Sequence, residues 1–317
     1  MNSVAAPLNP NRALLRPRVS SGWLGGVLLA AIALPCFVTL PWSLSRYDEQ
    51  RSAMPEKVLA APSWAEPMGT DDLGRSLLWR SLLGGAISLG IGISAACIAV
   101  CIGVAWGALS GYLGGKTDAA MMRTVDVLYG LPYILLVVMV TIALQPAVES
   151  LAGSTFGFSE LVAGNVSGIF TLLVAIGGVS WLTMSRVIRG QVLSLRNQPF
   201  IEATRAVGMG PMRVFRLHLL PNLIGVIVVY ATLAVPLAIL QESFLSFLGI
   251  GVRPPLPSWG NLAAGGIDEL KKLTSPGLSV YWWLLVFPCT LLGLTLMALN
   301  FLGDALRDRF DPKRNQQ

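Results

Sequence analysis

Ser110-Gly111-Tyr112-Leu113-Gly114-Gly115-Lys116-Thr117 is where this 317-residue sequence comes nearest to enzyme chemistry. A phosphate-binding loop needs a glycine five residues before the Gly of Gly-Lys-Ser/Thr, so that successive backbone N–H groups can cradle phosphate. Here the second glycine is Gly115, and the required position holds Ser110. A long apolar run precedes it, not a sheet strand, so this chain is not expected to bind ATP. The sole histidine, His218, supports neither a His-based triad nor a helical two-histidine zinc site. Its expected role is a polar contact at a membrane boundary. Cys97 and Cys101 share a helix face at i, i+4, but no further ligand lies near them. Together with Cys36 and Cys289 they read as small buried side chains. No catalytic residue and no metal site is assigned.

Residues 201–222 carry a different signal. They read Ile-Glu-Ala-Thr-Arg-Ala-Val-Gly-Met-Gly-Pro-Met-Arg-Val-Phe-Arg-Leu-His-Leu-Leu-Pro-Asn, a polar, basic island between long apolar runs. Local rules predict its shape. Pro199 suits the first turn of a helix, where its missing N–H costs nothing. Glu202 then sits near the positive end of that helix, three residues before Arg205. Gly208 and Gly210 stop the helix and Pro211 starts the next, expected over about 211–219. That second helix runs directly into an apolar span, so a push on the elbow would reach a membrane helix. An amphipathic interfacial hairpin without a partner is the bland alternative.

The elements that must position this island are membrane helices. The chain is 54% hydrophobic and 13% charged, against roughly 25% charged in a soluble domain. Six windows lack Asp, Glu, Lys and Arg: 19–45, 81–115, 127–148, 161–185, 217–241 and 273–303. Each exceeds the roughly 18 to 20 residues that a spanning helix needs. The fold class is thus all-α integral membrane, with six transmembrane helices. Too few amphipathic helices exist to cover six buried core helices in water, and the short alternating segments of a β-barrel are absent. Window 81–115 reads as a helix of about Leu83–Leu109 followed by a turn at Gly111, Gly114 and Gly115. The apolar stretch from Trp23 to about Leu40 is longer than a signal peptide's core of roughly 7–15 residues, so an uncleaved first helix is expected.

With the N-terminus cytoplasmic, 15 Lys and Arg fall on the inner segments and 8 on the outer. This bias favours both termini inside, Arg12 and Lys313 included. The expected organisation is a cytoplasmic tail over 1–21, a first helix over 22–45 and a periplasmic loop over 46–80. A five-helix unit follows over 81–303, with the island within about 190–220, then a cytoplasmic tail over 304–317. Basic residues dispersed among membrane ends argue against nucleic acid. Paired polar residues at mid-span depth, which a membrane enzyme would need, are not expected. Asp126, near the inner boundary, is either a functional charge or a simple i, i+3 ion-pair partner of Arg123. Glu242, near the outer end of the fifth span, is either functional or an anchor for the loop that follows.

Four motifs carry a family resemblance. Glu202-Ala203, Gly208 six residues after the Glu, and Leu220-Pro221 resemble the EAA loop of bacterial ABC importer permeases. Gly69-Thr70-Asp71-Asp72-Leu73-Gly74-Arg75, the run Phe244–Asn261 and the run Gly303–Pro312 are similar to signatures of one branch. That branch is the C-type permease of the dipeptide/oligopeptide/nickel importers. Thr204 departs from the loop signature, which has a second Ala there; being small, it is expected to leave docking intact. The resemblance implies a type I ABC importer permease in the bacterial inner membrane. It implies coupling to a separate ATPase through Glu202, Ala203, Thr204, Arg205, Gly208, Leu220 and Pro221. It also implies a second permease, two ATPase subunits that use ATP and Mg, and an external solute-binding protein. Short peptides are the expected cargo; nickel, glutathione or oligosaccharide stay open. A self-sufficient channel or secondary transporter would instead show midplane charges and internal repeats.

Overall fold

The computed structural model describes residues 21–156, 160–271 and 281–310. Arg12, Arg16, Arg18, Lys272, Asp311, Pro312 and Lys313, which the topology and motif expectations invoked, lie outside the described residues. Among the described residues the chain forms α1 (Ser21–Val38), α2 (Leu40–Arg46), α3 (Leu77–Leu113), α4 (Gly115–Tyr129), α5 (Tyr133–Phe156) and α6 (Glu160–Arg196). It continues with α7 (Pro199–Ala206), α8 (Pro211–Val214), α9 (Leu220–Phe247), α10 (Trp259–Lys271) and α11 (Trp283–Phe310).

Five segments are long and apolar enough to cross a membrane: Leu77–Leu113, Tyr133–Leu151, Ser167–Arg196, Pro211–Phe247 and Trp283–Arg309. The pair α1–α2, bent by 58°, makes a sixth if it counts as one broken span. Pro41 in the first turn of α2 places that bend, because a proline cannot donate to the preceding turn and its ring crowds it. Leu77–Leu113 and Pro211–Phe247 have 37 residues each. At about 1.5 Å per residue both exceed the ~30 Å hydrocarbon layer and must project beyond it.

Helix α3 is longer than the expected Leu83–Leu109, and Arg80 lies buried within it. The turn falls on Gly114 and Gly115, both at positive φ, while Gly111 stays helical. The window 127–148 is also divided differently. Helix α4 and α5 meet at Gly130-Leu131-Pro132, so the connection after α3 is itself a helix. Its charges hid it from a hydropathy reading. Residues 149–156 continue α5 past the end of the charge-free window.

Contacts fix the direction of each helix. Helices α3 and α6 run parallel, with Gly177 beside Ala95, Gly103 beside Met184 and Gly107 beside Ser185. A Cβ on Gly107 would lie 2.3 Å from the Ser185 carbonyl oxygen, so only glycine allows this approach. Helix α9 runs antiparallel to α3, with Ile239 against Gly92. Gly22 of α1 faces Ala305 of α11, while Cys36 of α1 faces Gly85 near the start of α3. Ser21 and Phe310 therefore lie at the same end of the bundle as the 199–219 island. The 47–76 loop, residues 248–258 and α10 lie at the opposite end. The largest apolar core joins α3, α5, α6 and α9 around Ala95, Ala99, Leu172, Ile176 and Ala238. Three of the cysteines are exposed on this bundle; only Cys36 is buried, which corrects the expectation for Cys97, Cys101 and Cys289. In a membrane helix an apolar position can face outward as readily as inward.

Candidate functional site

The island is seated by a small apolar core of its own. Ile201, Val214 and Leu219 are fully buried against Tyr112 of α3 and Leu195 of α6. Arg196 donates to the carbonyls of Gly111 and Tyr112 at 3.4 and 3.2 Å, satisfying the frayed end of α3. Helix α7 starts at Pro199 as expected. It ends in a Schellman turn: Gly208 sits at φ +80°, and the Met209 N–H bonds to the Thr204 carbonyl at 3.1 Å. Met209 turns back into the small core. Pro211 starts α8.

Helix α8 passes into α9 through a π-turn, Phe215–Leu219, so that Pro211–Phe247 is one continuous rod. Pro221 accounts for the widening. It lacks the N–H that would bond the Leu217 carbonyl, and its ring pushes that carbonyl aside. The Leu220 N–H instead reaches back to Phe215. The Asn222 side chain donates to the His218 carbonyl at 2.7 Å. His218 is half-buried at this junction.

The outward side of the island is bare. Glu202, Ala203 and Gly208 are exposed, and so are Phe200, Val207 and Met212, with Val207 at 85%. Pro221 is exposed and Leu220 half-buried. The Thr204 hydroxyl donates to the Ile201 carbonyl at 2.8 Å, so the residue that departs from the loop signature turns its polarity into its own helix. The Arg205 side chain lies outside what is described, and with it the expected pairing to Glu202.

Two ion pairs behind the island link α4 to α6. Asp118 accepts both Nε and Nη2 of Arg189 at 2.6 Å, and the Ser110 hydroxyl as well. The Arg189 guanidinium holds the Asp118 carboxyl below the usual carboxylate range. Asp126 pairs with Arg186 at 2.8 Å, not with Arg123, and Arg186 lies over the Tyr129 ring at 4.1 Å. The i, i+3 rule considered only Asp126's own helix, whereas the tertiary partner comes from α6.

The 69–75 and 244–261 motifs both lie at the opposite end. Asp71 caps its own turn, accepting the N–H groups of Leu73 and Arg75 at 3.0 and 2.8 Å and the Arg75 Nε at 2.7 Å. Glu66 accepts Arg51 and Ser76, each at 2.6 Å, which raises the Arg51 pKa. Trp283 Nε1 donates to the Thr70 carbonyl at 3.3 Å. Glu242 is fully buried. It accepts the hydroxyls of Ser246 at 2.8 Å and Ser243 at 3.2 Å, and Ser88 and Ser258 lie close by. Ser246 in turn accepts the Val252 N–H at 2.9 Å. Through Ser246 the carboxyl is linked to Val252 of the 248–258 loop.

A third cluster corrects the expectation that no polar residues pair at mid-span. The Tyr133 hydroxyl donates to Gln241 Oε1 at 2.6 Å and lies 3.0 Å from the Ser180 hydroxyl. Three helices supply these side chains, from positions far apart in sequence. All three are neutral, so charge-free windows conceal them.

Fold and site together define a multi-pass membrane subunit with a surface-exposed helical elbow joined rigidly to a spanning helix. The chain belongs to the family described as binding-protein-dependent transport system inner membrane component, whose model matches residues 103–316. It is 40% identical over 270 residues to the dipeptide transport system permease protein DppC of Bacillus subtilis, covering 85% of this chain and 75% of that protein. It is 42% identical over 290 residues to the oligopeptide transport system permease protein OppC of Escherichia coli K12, covering 90% and 85%. Among solved structures, the inward-facing MetNI methionine ABC transporter matches with a TM-score of 0.51 at 18% identity, over 74% of this chain and 98% of that one. The fold is that of a type I ABC importer permease.

Proposed function

We propose that this chain is the permease subunit of an ATP-driven importer of short peptides and that its island is the surface an ATPase subunit grips. The supporting observation is the continuous rod Pro211–Phe247, which joins the exposed elbow to a spanning helix without a flexible break. Glu202, Ala203, Thr204, Arg205 and Gly208 form or flank the docking face, and Leu220 and Pro221 the junction. The bare apolar side chains Phe200, Val207 and Met212 suit a protein partner. In this reading the island end is cytoplasmic, with both termini. A homologous permease completes the path, two ATPase subunits bind ATP and Mg below, and a solute-binding protein delivers cargo above. This chain contributes no catalytic group. Peptide cargo is favoured by the names of its relatives.

Reconstitution tests the proposal. The purified chain alone is expected neither to hydrolyse ATP nor to transport. Peptide uptake is expected only with the second permease, the ATPase subunits and the binding protein together. Robust hydrolysis by the isolated chain, with contaminating ATPases excluded, would overturn it. So would outside labelling of a cysteine placed at Asn197 in intact cells.

A further inference from the structure

Two hollows of about 370 and 290 Å³ lie side by side on the face formed by α5, α6 and α9. Tyr133, Ser180 and Thr183 line both, and Gln241 lines the second. Ala99 and Val100, near the middle of α3, line the second as well, so this hollow of the groove reaches from Gln241 in the outer part of α9 to mid-length of α3. Among the described residues, neither hollow is lined by Asp, Glu, Lys, Arg or His. Gln241 accepts at Oε1 only; among the described residues its amide nitrogen, with two N–H donors, makes no hydrogen bond. The exposed Thr183 hydroxyl makes none either. Polar groups left open at membrane depth are costly unless they face water or a polar ligand.

We infer that this groove contacts the transported solute through its main-chain amides, with Gln241, Tyr133, Ser180 and Thr183 as the contacting side chains. The inference rests on the importer reading above and adds the place and chemistry of contact. A peptide bond offers one donor and one acceptor, and this set of neutral amide and hydroxyl groups offers the complements. A strongly anionic or cationic cargo would call for a counter-charge that the lining lacks. Contact with the shared backbone also leaves the side chains of the cargo unread, which suits peptides of varied sequence.

The test uses the complete transporter in proteoliposomes, with labelled tri-alanine and an analogue in which one amide is an ester. The variants are Gln241→Met, which keeps bulk, and Tyr133→Phe, which removes one oxygen. Each variant is compared with wild type for each cargo, so affinity for the binding protein cancels. Tri-alanine uptake per ATP hydrolysed is expected to fall about tenfold in Gln241→Met, the equivalent of ~1.4 kcal/mol. A smaller fall is expected in Tyr133→Phe and in both variants with the ester. Co-purification of the second permease, and the binding-protein concentration for half-maximal ATPase stimulation, should not change. Unaltered uptake per ATP in both variants would reject the groove alone. Loss of the second permease would make the groove a subunit contact and reject it equally. A wild-type transporter that takes up no tri-alanine would reject the peptide reading itself, and the inference with it.

Discussion

The two ends of this molecule treat polar groups in opposite ways. At the end holding the 69–75 turn, Asp71, Glu66 and Glu242 each accept two or more hydrogen bonds, and Glu242 has no exposed surface. At the island end, Glu202 is exposed, and the apolar side chains of Phe200, Val207 and Met212 stand in solvent. A buried carboxyl that gathers hydroxyls is costly to disturb, because each group left behind is stranded. An exposed carboxylate on a bare elbow contributes little to the isolated fold. The contrast separates residues that hold the permease together from residues offered outward. The two kinds occur on one continuous rod, since Pro211–Phe247 begins in the elbow and ends beyond Glu242.

The strongest way to break the contrast is at Glu242. Glu242→Ala should strand the hydroxyls of Ser243 and Ser246, at ~1–3 kcal/mol for each group that finds no other partner. A large drop in folded yield and in midpoint temperature in detergent is expected. Glu242→Gln keeps the shape and one acceptor and should recover most of the loss. Normal stability in the alanine variant would show that the buried cluster is not an anchor.

Gly208→Val comes next. A Cβ there meets nothing within 4 Å, so the cost is backbone strain at φ +80° and not crowding. A non-glycine residue held at such an angle costs about 1–3 kcal/mol, and the elbow is free to shift to relieve it. The expected outcome is near-normal membrane level with sharply reduced uptake and weaker ATPase co-purification. Glu202→Ala should be milder still in stability, with unfolding unchanged within ~0.5 kcal/mol, yet uptake again sharply reduced. Full uptake per inserted complex in both variants would remove the coupling role from the island.

Much of the island was legible because its rules are local. Pro199 and Pro211 mark helix starts, and Gly208 marks a stop through the one backbone angle that glycine adopts freely. The spans were legible from the absence of charge. What the sequence concealed depends on contacts between distant elements. Tyr133, Ser180 and Gln241 each sit singly in or beside an apolar run, and only packing of three helices brings them together. Helix α4 was missed because its charges, paired with Arg186 and Arg189 of α6, look like a loop in one dimension. The π-turn required knowing that the helix continues through Pro221 and does not begin there.

The smallest effect is expected at Asp126, and it sharpens the contrast from a third position. Sequence alone left this residue between a functional charge and a simple ion pair. The structure gives it Arg186 as partner, with both side chains well exposed at 56% and 40%. An exposed pair of this kind contributes roughly 0.2–1 kcal/mol, and Arg186 keeps its contact with the Tyr129 ring when the carboxylate is gone. Asp126→Asn should therefore leave insertion, co-purification and uptake near wild type, with a slight loss of stability that salt diminishes. Asp118→Asn is the matched comparison, because Asp118 is buried and takes two bonds from Arg189. It should cost visibly more at every ionic strength. A collapse of uptake in Asp126→Asn with stability intact would mean that an exposed pair at this depth works in transport. The division between anchoring and offered residues would then have to extend beyond the two ends of the rod.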